Sequence, residues 1–513
     1  MGGKWRRVAV CCTAAALLAT GAGQYAATPA VAAATCQGGV DSDFNGDGVR
    51  DTAIADPEAT VSGKERAGLV RVVLGGGKGV AEFSQDTPNV SDAPEDGDRF
   101  GFSLAAYDAN GDGCSDLAVG VPYEDVGTAE GAGLVHLLYG SPAGLLQGTP
   151  ISQGLRQGAD GWVGEHAEAG DLFGYSLATT VSATDVAYLV IGSPGEDAAA
   201  GADIGMVVAL YGADLKVSRF TQDSPGIWET AEPNDRFGYS IAAAGPWFAV
   251  GIPGESIDQQ KGAGAISVFR ASINVDGVPD PTWSGGQVRN GLGDSSAEAG
   301  DGYGTSVAMA ACCAPASTPN KPNGAVLAVG VPGEDVGSFT DAGGVQVAQV
   351  TATGGATWHA WITQDTPGVE GDAEAGDRFG QSVGITQRNL ILPPSPGLAR
   401  VAVGVPGEDA SPPVKDVGGV AVLPFVGPPG TGDVWLEPGD GVPATPADHA
   451  LTGLNLFATR NAFYLGLPYA RATDRAVHSY PWDVAPGGAP TESWRPGAGG
   501  IPPANTAFGA TIQ

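Results

Sequence analysis

Seven times along the chain a short apolar strand runs into a proline, and five of these strands follow a second strand that opens F/Y-G-x-S. The fullest copy is DRFGFSLAAYDANGDGCSDLAVGVPYEDVG, from Asp98 to Gly127. Related starts lie at Phe173, Phe237, Tyr303 and Phe379. The proline strands are Leu117–Pro122, Leu189–Pro194, Phe248–Pro253, Leu327–Pro332 and Val401–Pro406, with weaker copies at Ala53–Pro57 and Tyr464–Pro468. Consecutive prolines lie 59 to 79 residues apart, so one unit is about 70 residues long. A repeat this regular constrains the fold before any single residue is weighed.

Within each unit the signals are short β-rich runs separated by Gly, Pro, Asp and Asn, without a sustained helical period. Three to four strands per unit, seven times over, predict an all-β, seven-bladed β-propeller. Each small antiparallel sheet would need two neighbours to cover its faces. Repeat-bearing sequence begins near Asp43 without an F-G strand, and the chain ends in TAFGATIQ, Thr506–Gln513, an F-G strand with nothing after it. That orphan strand can complete the first blade and remove the open sheet edges. One unit is degenerate, with Thr452 and Gly453 where Phe237 and Gly238 stand.

The F-G pair, the NGDG loop and the G-x-P turn resemble the FG-GAP repeats of the integrin α-subunit N-terminal propeller, a type also found in secreted bacterial proteins. The resemblance runs through residues 35–513 and implies seven blades with calcium in some blade loops. It does not extend to an inserted adhesion domain, a leg domain, a transmembrane helix or a cytoplasmic tail.

Residues 1–34 read differently. Lys4, Arg6 and Arg7 precede an apolar stretch from Val8 to Ala22, and small residues follow to Ala34. This is the pattern of a secretory signal peptide with cleavage after Ala32 or Ala34, too short to span a bilayer. Removing it takes the net charge from -32 to about -35, an acid excess that argues against nucleic acid and suits calcium, a cationic partner or a solvated exterior. Four cysteines remain after cleavage. Cys36 with Cys114 is the expected disulfide, tying the new N-terminus to the neighbouring unit, while Cys312 and Cys313 are either a vicinal bridge or a pair of thiols.

Two loops carry metal-ligand spacing: DFNGDGVRD with Asp43, Asn45, Asp47 and Asp51, and DANGDGCSD with Asp108, Asn110, Asp112 and Asp116. Oxygens at positions 1, 3 and 5, a glycine at 6 and a carboxylate at 9 can encircle a hard cation, with the carbonyl of position 7, Val49 or Cys114, as a further ligand. A plain Asn-Gly or Asp-Gly turn does not need three acids and an amide at alternating positions, twice. Calcium is therefore the expected cofactor, about two ions per chain.

GQSVG at Gly380–Gly384 matches a nucleophile elbow, but its relatives GFSLA, GYSLA, GYSIA and GTSVA lack the last glycine. Ser103, Ser176, Ser240, Ser306 and Ser382 are expected to bond neighbouring backbone. The carboxylates that recur before the F-G strands, and after the prolines as Glu124–Asp125, Glu196–Asp197, Glu334–Asp335 and Glu408–Asp409, read as turn caps and blade-to-blade acceptors. A ring of acids binding cations or sugars is the sharper alternative. The five histidines show no metal or catalytic spacing, and Trp162, Trp228, Trp358 and Trp361 read as inter-strand gap fillers. No catalytic residue is assigned. The expected function is a secreted, extracellular, monomeric module for binding or adhesion to an extracellular protein or glycan, without a membrane span. A hydrolase or lyase with its site at the propeller axis is the second class.

Overall fold

The computed structural model describes residues 35–158, 164, 166–227, 230–287, 296–410 and 414–513. Residues 1–34, on which the signal-peptide expectation falls, and Trp162 and Trp228 lie outside them. The strands form seven antiparallel sheets, all within the unit Cys36–Gln513. Blade 2 shows the plan, with Ser103–Tyr107 innermost, then Asp116–Val121, Leu134–Leu138 and Ser152–Leu155. Blades 3, 4 and 5 repeat it from Ser176, Ser240 and Ser306, blade 6 from Ser382 and blade 7 from Asn455. Blade 6 adds a short parallel fifth strand, Gly441–Val442.

Blade 1 is made from both ends of the sequence. Thr511–Ile512 pairs antiparallel with Thr52–Asp56, with Ile54 opposite Ile512 and Ala55 opposite Thr511. The C-terminal strand thus supplies the innermost strand that the first repeat lacks. The Asp56 carboxylate accepts from the amides of Thr506 and Ala507, each at 2.7 Å.

The hydrophobic core is not inside the blades but between them. One cluster joins Ala53, Val70 and Phe83 of blade 1 to Leu104, Leu117 and Val119 of blade 2. Equivalent clusters link blades 2 and 3, 3 and 4, 4 and 5, 5 and 6, and 6 and 7. A last one packs Ile54, Phe508 and Ile512 against Tyr464 and Val477, blade 1 against blade 7. Second strands such as Asp116–Val121 and Trp247–Ile252 are buried along their whole length, because each is covered on both faces.

The F-G pair is the stitch between blades. Phe100, Phe173, Phe237, Tyr303 and Phe379 are all fully buried, and each backbone N–H bonds a carbonyl of the preceding blade, as Phe173 does with Ala132 at 2.9 Å. The glycine that follows sits at φ near +90°, a conformation glycine adopts without steric cost. A side chain there would also strike the preceding blade: a Cβ on Gly174 would lie 2.7 Å from the Val135 methyl. The serine completes the joint by reaching forward. Ser103, Ser176, Ser240, Ser306 and Ser382 donate to the carbonyls of Gly174, Gly238, Gly304, Gly380 and Gly453, the glycines at the F-G position of the next blade, where Thr452 replaces the aromatic residue before Gly453. Thr511 occupies the same place in the closing strand and donates to Phe102 at 2.9 Å.

Candidate functional site

Because inner and second strands are antiparallel, the two ends of the propeller are chemically distinct. The second NGDG loop joins the inner strand Ser103–Tyr107 to Asp116–Val121, and the first leads directly into Thr52–Asp56, the second strand of blade 1. The F-G-x residues and the residues after the prolines lie at the opposite end.

At the loop end the two nine-residue segments fold in the same way. Asp43 accepts from the amides of Asp47 at 3.1 Å and Gly48 at 2.7 Å, and Asp108 accepts from Asp112 at 3.1 Å and Gly113 at 2.9 Å. Asn45 and Asn110 each accept from the fifth-position amide. Asp47 and Asp112 accept from Val49 and Cys114, each at 2.9 Å. Gly46, Gly48, Gly111 and Gly113 all have φ between +64° and +91°, which the tight wrap requires. The ninth-position acids are buried and lock the hairpin, Asp51 to the amides of Phe44 and Gly75 and Asp116 to those of Ala109 and Gly140. Burial, partly offset by these bonds, pushes Asp51 up to about 6 and Asp116 up to about 7.

The donor set at both loops is entirely oxygen, and each side chain retains further lone pairs, which suits a hard cation. The loops differ in one respect: the Lys78 ammonium pairs with Asp47, whereas Asp112 accepts from the Asn110 amide at 3.0 Å. Among the described residues the only trio of acid, thiol or imidazole ligand atoms within 4.8 Å of one another is Cys36, Asp112 and Cys114. Its two sulfurs are bonded to each other. Cys312 and Cys313 form the vicinal bridge.

The same end opens a cavity of about 700 Å³ on the axis, lined by Tyr107, Thr180, Asp185, Lys321 and Arg460 among others. Lys321 and Asp185 form a direct ion pair at 2.6 Å in its wall.

At the opposite end, the residues between F-G and Ser form an aromatic arc. Phe102, Tyr175 and Tyr239, from blades 2, 3 and 4, follow one another with ring centroids 4.9 and 5.1 Å apart. Tyr123 meets Phe102 edge-on at 5.7 Å, and the Arg99 guanidinium lies 4.9 Å over the Tyr123 ring. All four rings are half-buried. A cleft of about 230 Å³ lies among Tyr123, Leu172, Tyr175, Arg236 and Tyr239. Burial first and the neighbouring Tyr239 second hold the Tyr175 phenol above its ordinary range, so it stays neutral as a hydrogen-bonding group.

The recurrent acids divide into two structural roles. Asp98, Asp171, Asp235, Asp301 and Asp377 cap turns by accepting the amide three residues earlier. Glu124, Glu196, Glu255, Glu334 and Glu408 accept from Gln85, Gln157, Gln222, Gln287 and Gln364 of the preceding blade. Those glutamines are missing from the sequence reading, although SQDTPN, TQDSPG and TQDTPG carried the signal. The aromatic arc was also missed, because only three of the repeats place a ring after F-G. Trp358 and Trp361 are in a strand, Ala356–Ile362, not between strands, and Trp358 packs on Trp283. His136 is fully buried against Phe100, and burial pushes it down to about 4.

Among known proteins, residues 100–138 match the family model described as FG-GAP repeat. Integrin alpha-PS2 of Drosophila melanogaster is 40% identical over 110 residues, 20% of this chain and 8% of that protein. Phosphatidylinositol-glycan-specific phospholipase D is 32% identical over 113 residues in Rattus norvegicus and 28% over 204 residues in Dictyostelium discoideum. These matches span 13% and 21% of the two phospholipases, so the chain corresponds to a minor part of each relative's length. With seven blades stitched by F-G pairs, the chain is a seven-bladed β-propeller that carries an FG-GAP repeat at residues 100–138 and is similar over part of its length to an integrin alpha chain.

Proposed function

We propose that this protein is a secreted, calcium-stabilised propeller that binds an extracellular protein or glycan through the aromatic arc. The observation that carries the reading is the arc itself. Three consecutive blades spend the same repeat position on half-exposed rings, flanked by Arg99 and Arg236, where blades 5 and 6 have Thr305 and Gln381. Packing between blades does not require those rings, since the joints close without them elsewhere. Half-buried tyrosines offer apolar area and a polar tip together, the combination enriched at binding surfaces. The disulfides suit an oxidising compartment, and no helix among the described residues is long and apolar enough to cross a membrane.

Calcium would be held by Asp43, Asn45, Asp47, Asp51 and the Val49 carbonyl, and by Asp108, Asn110, Asp112, Asp116 and the Cys114 carbonyl. It supplies positive charge that offsets the mutual repulsion of the carboxylates. Chelation is expected to lower the melting temperature, and calorimetric titration of the metal-free protein to show uptake of about two ions.

Binding is tested on protein and glycan arrays with wild type and Tyr175→Ala. The expected result is a ligand retained by wild type and lost by the variant; equal retention by both would remove the arc from the proposal. The axial cavity is what favours the hydrolase reading. Turnover of an ester or polysaccharide abolished by a single substitution in the cavity wall would establish that reading instead.

A further inference from the structure

We propose that the two NGDG loops are one coupled calcium unit, in which filling either loop raises the affinity of the other. The proposal rests on the calcium reading above and adds a regulation to it. Asp43, the first residue of the first loop, is held on both sides of its backbone by Ser115, the eighth residue of the second. Its amide donates to the Ser115 hydroxyl at 3.2 Å, and its carbonyl accepts from the Ser115 amide at 2.9 Å. Ser115 stands between Cys114 and Asp116, positions seven and nine of its own loop, so any ordering of that loop fixes the residue that aims Asp43.

A second tie runs through the segment before the repeats. Cys36 is bonded to Cys114, and the next residue, Gln37, donates to the Gly46 carbonyl of the first loop at 2.9 Å. Cys36 is wedged between the loops. A Cβ on Gly46 would fall 2.5 Å from its Cα, and one on Gly113 would fall 3.2 Å from its carbonyl oxygen. Both loops therefore close against the same residue. Neither can adopt its wrapped form without placing a wall of the other, which is the condition for a coupling free energy between sites.

Coupling of this kind is reciprocal and is expected to reach at least about fivefold in affinity. Calcium chloride is titrated calorimetrically into metal-free wild type and into single-loop variants Asp47→Asn and Asp112→Asn, with circular dichroism confirming the fold. The product of the two wild-type binding constants should exceed the product from the single-loop variants by at least about fivefold. Ser115→Ala and the double variant Cys36→Ser, Cys114→Ser should each still bind two ions but lose that excess, and Ser115→Thr should restore it. Ser115 is a positioning residue, and a merely structural role would shift the melting temperature without touching the excess. Two ions bound with equal products overturn the coupling and leave the calcium reading intact. No uptake by wild type overturns both.

Discussion

A methyl group on Gly251 would be driven into the carbonyl oxygen of Gly304 and the Ser240 hydroxyl. Gly251→Ala is therefore expected to destabilise by about 1–3 kcal/mol, the usual cost of overpacking, read as a lower urea midpoint. Ser240→Ala removes only the 2.7 Å bond to Gly304 and should cost about 1 kcal/mol. The two residues meet at one joint, so the double variant should fall short of the sum. An unchanged midpoint in Gly251→Ala would mean that the blades can slide apart there. The serines are legible in the sequence as structural, since five copies cannot all be one nucleophile. Their partner is not, because the acceptor lies 64 residues on and no local pattern announces it.

At the scale of a joint between two blades, the Gln–Glu pairs make stability depend on pH. Glu124, Glu334 and Glu408 are pushed up to about 8, by burial first and then by Asp98, Asp301 and Asp377 beside them. Asp92 and Glu95 also face Glu124, Glu298 and Asp335 face Glu334, and Glu374 and Glu437 face Glu408. The amide oxygens of Gln85, Gln287 and Gln364 are buried without a donor, a place for the proton of a neutral acid. In the unfolded chain the same glutamates titrate near about 4.3, so between the two values the native state holds more protons. The contribution is fully present below the unfolded value and is lost as pH rises towards about 8. Each joint can lower stability by up to about 1.4 kcal/mol per pH unit in that window. Measured in chelator to remove metal effects, the urea midpoint should fall from pH 6 to pH 9, and Glu124→Gln should fall less steeply. A midpoint flat across that range would show the acids ionised throughout. The glutamates stood out in the sequence as repeated acids, but their depth did not, because burial is set by the neighbouring blade.

For the molecule as a whole, deleting Thr506–Gln513 should open the ring. The loss would include the pairing with Thr52–Asp56, both bonds to Asp56 and the buried Phe508 and Ile512. An edge strand is then bared, and the expected outcome is a lower melting temperature with aggregation seen by light scattering. A scrambled tail of equal length should behave like the deletion, since the apolar pattern seats the strand. A truncated protein that stays monomeric and melts like the full chain would refute closure by this strand. Fold class, blade number and the closing strand were all legible, because a repeat writes its packing needs again in every unit. The aromatic arc was not, because Phe102, Tyr175 and Tyr239 fill a position that carries Thr305 and Gln381 in blades 5 and 6, so the repeat does not announce it.

The closing contact also sets an order on the making of this protein. Asp56 and its partner Thr506 are 450 residues apart, among the most distant contacts the chain makes, and one whose closure comes late. A chain that leaves the ribosome, or crosses a membrane, N-terminus first carries an unfinished first blade until its final strand emerges. Until then both the second strand of blade 1 and the flank of blade 7 wait uncovered. Folding of the ring is therefore complete only when Thr511–Ile512 has paired with Thr52–Asp56.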